Sequence, residues 1–96
     1  MVVEFHPAAS EELEAASLFY EGRRSGLGDE LADEIEDVCL LLSEYPTIGR
    51  EVDGVHRSIP LRRFPYMLFY RVRGTVVQIV AVAHKRKRPG YWRRRG

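Results

Sequence analysis

The chain contains a single cysteine, Cys39, and only three histidines, His6, His56 and His84. One thiol cannot close an internal disulfide, and no grouping of His, Cys, Asp and Glu has metal-ligand spacing, so we expect no metal and no cofactor. No apolar run approaches the ~20 residues that cross a bilayer, and no basic segment followed by an apolar stretch opens the chain. These absences predict a cytoplasmic protein in a reducing compartment, without a membrane partner.

Acidic residues are absent from the second half of the chain. All 14 lie in positions 1–53 beside three arginines, whereas positions 54–96 contain 12 lysines and arginines, so the formal charges of the two segments are −11 and +12. A field of one sign attracts anionic partners, and phosphate backbones are the commonest of these. The segregation favours a phosphate-rich partner for the second half. The alternative is that the two halves only neutralise one another.

The periodicity of the first half predicts one strand and two helices. The segment 2–5 is a short β-type run that Pro7 ends, and the pattern from Ala8 to about Arg24 is helical. The segment 25–28 (SGLG) breaks this helix, Asp29 opens a second one, and Tyr45-Pro46 stops it. Two helices joined by a short glycine-containing turn indicate an antiparallel helical hairpin.

The second half has the alternation of β-strands, predicted at 55–61, 66–72 and 75–83, with Arg73-Gly74 as a two-residue hairpin turn. Pairing Val72 with Thr75 places Tyr66, Leu68, Tyr70, Val72, Val77, Ile79, Ala81 and Ala83 on one face, where we expect the helical hairpin. Met67, Phe69, Val80 and Val82 then lie on the opposite face, which should be partly open. The tail from Pro89 to Arg95 is predicted to form one short helix.

This order of elements resembles the RelE/ParE toxins. Segment 64–72 (FPYMLFYRV) is similar to the family's aromatic strand, in which two tyrosines flank alternating apolar residues. Segment 80–86 (VAVAHKR) is similar to its last strand, which leads into a histidine and a basic cluster, and 88–92 (RPGYW) resembles an ending common among ParE-like members. Gly26-Leu27-Gly28 and Tyr45-Pro46 match the ends of the second helix. The resemblance covers nearly the whole chain.

The resemblance implies one α+β domain, 1–96, with an N-terminal strand and a two-helix hairpin packed on a small, mainly antiparallel sheet. It also implies a type II toxin that a cognate antitoxin protein holds inactive. The RelE branch cuts messenger RNA in the ribosomal A site, and the ParE branch poisons DNA gyrase. In much of the endonuclease branch an arginine follows the first tyrosine of the aromatic strand, and Met67 occupies that place here. The lysines of its preceding strand would fall near Ser58 and Pro60, so a ParE-like mode is favoured.

The candidate functional residues follow from this resemblance and from the charge pattern. If the chain is an enzyme, it is a metal-independent endoribonuclease, with His84 as acid or base, Lys85 and Arg86 on the phosphate, and Tyr91 as donor or stacking platform. The alternative is that His84 only ends a strand. Residues expected to bind nucleic acid or the target are Arg57, Arg62, Arg63, Lys85, Arg86, Lys87, Arg88 and Trp92. The open face with Met67, Phe69, Val80 and Val82 is expected to bind the antitoxin.

The sequence therefore predicts a growth-inhibiting toxin whose target is DNA gyrase or, as the alternative, ribosome-bound messenger RNA. A non-toxic nucleic-acid-binding module would account for the charge pattern equally well. We also expect the acidic helices, with Glu11, Glu12 and Glu14, to have no part in the working surface.

Overall fold

The computed structural model describes residues 1–96, which form two helices packed on one five-stranded sheet. The elements in chain order are β1 (Val2–Phe5), α1 (Pro7–Arg23), α2 (Leu27–Glu44), β2 (Arg50–Glu51), β3 (Arg57–Pro60), β4 (Tyr66–Arg73) and β5 (Val76–His84). The strand order is β1-β5-β4-β3-β2. Only β1 and β5 pair in parallel, so the predicted α+β architecture with a mainly antiparallel sheet is confirmed. No helix is both long and apolar enough to cross a membrane.

The helical hairpin depends on close contact between α1 and α2 at Gly28. Gly26 begins α2 with φ 87°, a left-handed conformation that favours glycine. The Glu21 carboxylate accepts hydrogen bonds from the amides of Gly26 (2.9 Å) and Gly28 (3.0 Å), which satisfies free amides at this helix start. A Cβ at Gly28 would lie 2.5 Å from the carbonyl oxygen of Ser17. The crossing therefore requires glycine at this position.

The face of the sheet that contacts α1 and α2, called the helix side, holds most of the core. Leu31, Ile35 and Leu42 of α2 are buried against Leu68, Tyr70, Val77, Ile79 and Val82 of the central strands. Burial of each such side chain contributes roughly 1.5–3 kcal/mol. The Tyr70 hydroxyl accepts a hydrogen bond from the Gly49 amide (2.9 Å), which fixes the loop before β2.

A β-bulge between β4 and β5 changes the predicted sorting of side chains. Arg73 pairs with Val76, so the turn is Gly74-Thr75 rather than Arg73-Gly74, but this shift by two residues keeps each side chain on its face. Phe69 pairs with Ala81 and Tyr70 with Ile79, so Val80 is the extra residue. Beyond it the faces of β5 are exchanged, and Val82 joins the helix side. Its predicted place on the open face is therefore wrong, and so is the place of Ala81 and Ala83 on the helix side.

The opposite face, called the tail side, is covered by residues 89–95. Trp92 is 1% exposed, its ring stacks on Phe69 at 4.2 Å, and it contacts the edge of His56 at 4.7 Å. The predicted tail helix is wrong, because these residues form successive turns with bonds such as Arg93 N to Gly90 O (3.1 Å). Gly90 has φ 76°, which no right-handed helix accommodates. The tail and the bulge together bury Val80, Ala81 and Ala83 in a second small core.

Candidate functional site: a basic turn and its cavity

The basic turn, residues 85–88, follows β5 directly and contains Lys85, Arg86, Lys87 and Arg88. Its first amide donates to Pro65 O (2.9 Å), which anchors the turn to the loop before β4. None of its four side chains forms an ion pair, whereas Arg24, Arg63, Arg93 and Arg95 all do. Because no carboxylate compensates these cations, their fields add at this end of the sheet.

A cavity of about 170 Å³ opens between the basic turn, the end of the sheet and the tail. Met67, Phe69 and Ala83 of the sheet and Pro89 and Trp92 of the tail form its apolar floor. Lys85, Lys87, Arg88, His84 and Tyr91 complete the lining, and no acidic residue is among them. The structure thus brings the predicted residues of the chain end, except Arg86, together around one cavity.

His84 lies at the end of β5, half-buried, with its ring against the edge of Tyr66 at 5.1 Å. Its Nδ1 accepts a hydrogen bond from the Arg86 amide (3.0 Å), so in the neutral ring the hydrogen is on Nε2. This tautomer has no free nitrogen to accept a proton from a substrate. His84 is therefore a hydrogen-bond donor at the cavity and a poor general base.

Tyr91 is held in a network that leaves its hydroxyl little freedom. The hydroxyl donates to Glu12 Oε2 at 2.6 Å. Burial raises the pKa of Tyr91, and the hydrogen bond to the ionised Glu12 raises it further. Because the phenolic proton is engaged with a carboxylate, Tyr91 is a poor acid for a leaving group.

Glu12 joins α1, β5 and the tail, although nothing in the sequence distinguishes it from its neighbours. Its carboxylate accepts from the Val82 amide (3.0 Å), from the Tyr91 hydroxyl, and twice from the Arg95 guanidinium (2.8 and 2.9 Å). Arg95 also donates to Val80 O (3.0 Å). Because of the bulge and the end of β1, the Val82 amide and the Val80 carbonyl have no partner on a neighbouring strand. The side chains of Glu12 and Arg95 satisfy them instead. Burial raises the pKa of Glu12, but the bonds from Arg95 and Tyr91 outweigh it and the net shift is downward.

Three predicted target-binding arginines lie elsewhere. Arg57 donates to Thr47 O (3.1 Å) and Gly49 O (2.9 Å), so it holds the loop before β2. Arg63 pairs with Glu30 of α2, and Arg62 lies beside a groove between α2 and β3 rather than at the cavity. None of the three borders the cavity beside the basic turn, and their part in binding a target stays a prediction.

The predicted antitoxin-binding face is also altered by the fold. Val80 is fully buried and Val82 is 2% exposed, so neither lies on an open surface. Met67 and Phe69 are half-buried and border the cavity. Trp92 is buried, so it cannot offer its ring to a base in this conformation.

Comparison with known proteins identifies the family. A family model described as ParE toxin of type II toxin-antitoxin system, parDE, matches residues 3–89 of the chain. The chain belongs to the ParE toxin family. It is a type II toxin, and the predicted resemblance is confirmed.

This ParE-family toxin also shares its fold with a solved structure. A chain of the "Chromosomal ParDE TA system from P. aeruginosa" superposes with a TM-score of 0.64 at 22% sequence identity, over 88% of the toxin and 95% of that chain. At this identity the match establishes the fold alone. No curated protein matches the toxin.

The family match ends at residue 89, so the tail of this toxin lies outside it. Glu12, Arg95 and the pair of His56 with Asp53 were not predicted as functional or structural centres. Asp53 accepts bonds from the His56 amide (2.8 Å) and ring (3.0 Å), and it pairs with Arg93 (3.4 Å). The hydrogen bond from the His56 amide, with those from the Val55 amide and the His56 ring, lowers the pKa of Asp53 to about 2 against the opposing effect of desolvation. Glu12 with Arg95 and Asp53 with Arg93 are far apart in the sequence, so no motif marks these two pairs.

Proposed function

We propose that this toxin inhibits growth by poisoning DNA gyrase and that a cognate antitoxin, an acidic-apolar protein, holds it inactive in the cytoplasm. The family match over residues 3–89 is the observation that carries the proposal. Within the proposal, the basic turn is the surface that contacts gyrase or its bound DNA.

The geometry of the candidate catalytic residues supports a non-nuclease mode. Cleavage of RNA through its own 2′-hydroxyl needs a base for that hydroxyl, an acid for the leaving oxygen and cations for the phosphorane. His84 has no free nitrogen to act as the base, and Tyr91 gives its hydrogen bond to Glu12. Met67 places a thioether where an endonuclease of the superfamily has an arginine. Only the cations of the basic turn suit both modes.

A supercoiling assay with purified gyrase tests the proposal. We expect the toxin to inhibit supercoiling and to accumulate cleaved DNA, and a variant with all four cations of the basic turn replaced by Gln to lose both effects. A control is the exposed pair Arg50→Gln and Arg73→Gln, which removes positive charge from another surface. Full gyrase activity at toxin concentrations that arrest cells would contradict the proposal.

Control by an antitoxin is tested in cells. We expect induction of the toxin alone to stop growth, and co-expression with a small neighbouring reading frame to restore it. A partner that binds only the folded toxin would also raise its melting temperature by mass action. Normal growth with abundant, soluble, partner-free toxin would argue against a toxin function.

A further inference from the structure

The cavity beside the basic turn combines two kinds of surface. Its floor is apolar, with the Met67 thioether, the Phe69 ring and the methyl group of Ala83. These three residues come from the ends of β4 and β5, whose backbone is fixed by strand pairing. The floor is therefore a rigid surface suited to a flat apolar group.

The rim of the cavity carries cations and no carboxylate. Lys85, Lys87 and Arg88 line it, and none is paired with a carboxylate. His84 adds Nε2–H, because its Nδ1 is engaged by the Arg86 amide. The Lys87 ammonium lies 5.6 Å from the centre of the Tyr91 ring, on a flexible stem that a ligand can displace. A rim of this kind selects an anion.

We propose that this cavity binds a nucleoside phosphate, with the base on the apolar floor and the phosphate on the basic turn. A free nucleotide and one residue of a single strand present this same chemistry, and the titration below distinguishes them. The proposal concerns binding without cleavage, and it does not depend on gyrase being the target.

The shape and charge favour a nucleotide over an acidic peptide. The cavity has room for one ring system and not for a helix or strand, so a peptide would contribute a single side chain. Lys85, Lys87 and Arg88 instead border the same cavity as the Phe69 ring, and cations beside an aromatic surface suit a phosphate next to its base. An acidic peptide remains a defined outcome of the experiment.

Trp92 provides the measurement, because it is the only tryptophan and lines the cavity. The full chain is titrated with thymidine monophosphate, thymidine, inorganic phosphate and an oligothymidylate, and fluorescence is recorded. We expect saturable quenching by the monophosphate. Thymidine and inorganic phosphate should each bind at least ~10-fold more weakly, because stacking and charge both contribute to the affinity. If the oligonucleotide binds more tightly than the monophosphate, the natural ligand is a single strand. If the two bind equally, it is a free nucleotide. Either result supports the site.

Two variants separate the rim from overall charge. The double variant Lys85→Gln with Lys87→Gln should weaken binding of the monophosphate at least ~10-fold. It should also reduce the slope of log affinity against log salt concentration, measured for the oligonucleotide, by about 1.4. Arg50→Gln with Arg73→Gln removes the same charge from exposed positions away from the cavity and should change affinity less than ~2-fold. Unchanged unfolding midpoints establish that both variants are folded.

Three results would overturn the proposal. Inorganic phosphate binding as tightly as the monophosphate would leave no role for the floor. If both double variants lost the same amount of affinity for the monophosphate, net charge alone would account for the binding. Tighter binding of a glutamate-rich peptide that contains phenylalanine, through the same two lysines, would assign the cavity to a protein partner. Because none of these assays contains gyrase, the site and the proposed target fail independently.

Discussion

Replacing Glu12 by Ala removes the carboxylate that joins α1, β5 and the tail. The change leaves the Val82 amide, the Tyr91 hydroxyl and the Arg95 guanidinium without their acceptor. The side chains of Glu12 and Arg95 are 21% and 18% exposed, so water replaces these bonds only in part. The sequence assigned Glu12 no part in the working surface, and the structure gives it a structural role that the sequence did not reveal.

The magnitude follows from the hydrogen bonds to a charged group. Each contributes roughly 1.5–3 kcal/mol, the contributions are not additive, and partial exposure lowers them, so we expect a loss of about 2–4 kcal/mol in the free energy of unfolding. A domain of this size commonly has ~5–15 kcal/mol in total. The melting temperature should therefore fall by ~10–25 °C.

Urea unfolding followed by circular dichroism and by Trp92 fluorescence measures this loss. Glu11→Ala and Glu14→Ala are matched controls, since both residues are exposed on the same helix, and each should change stability by less than ~0.5 kcal/mol. A double-mutant cycle with Arg95→Ala should give a coupling of ~1 kcal/mol or more. If Glu12→Ala is as stable as Glu11→Ala, the account of the tail is wrong.

Three further predictions concern other parts of the molecule. Gly28→Ala should destabilise the toxin by ~1–2 kcal/mol in urea unfolding, since contact with the Ser17 carbonyl outweighs the gain in helix propensity; greater stability would refute the close crossing. Asp53, with its pKa lowered to about 2, contributes stability that is complete above the unfolded value near ~3.9 and is lost as the pH falls towards 2, so Asp53→Asn should flatten this part of the pH–stability curve; an unchanged curve would refute it. Neutralising 85–88 together should abolish growth arrest while circular dichroism stays unchanged, and a fully toxic variant would exclude the basic turn as the working surface.

The sequence was sufficient to predict α1, α2 and four of the five strands, because their apolar periodicities differ and proline or glycine stands near their ends. The β-bulge was not predictable, since Val80 continues the alternation of its strand and only pairing with β4 reveals it as an extra residue. This single insertion moved Val82 from the expected open face to the core. Strand β2 is two residues long and carries no pattern of its own.

The candidate site could be predicted in part. The basic turn was found from the sequence because its residues are consecutive and carry no compensating acid. The partners of the Arg57 and Arg63 side chains could not be predicted from the sequence. The Gly49 carbonyl and the Glu30 carboxylate come within reach of them only in the folded chain. The burial of Trp92 likewise depends on a platform formed by Phe69, which lies 23 positions earlier in the printed sequence.

Separate measurement of DNA and protein synthesis after induction of the toxin tests the central claim most directly. Cells are pulse-labelled with thymidine or methionine at short intervals, and transcripts from the same samples are mapped by primer extension. A ParE-like gyrase poison predicts an early halt in thymidine incorporation, continued methionine incorporation and intact transcripts. Methionine incorporation that stops first, with codon-spaced cuts in the transcripts, would contradict the account and restore the nuclease alternative.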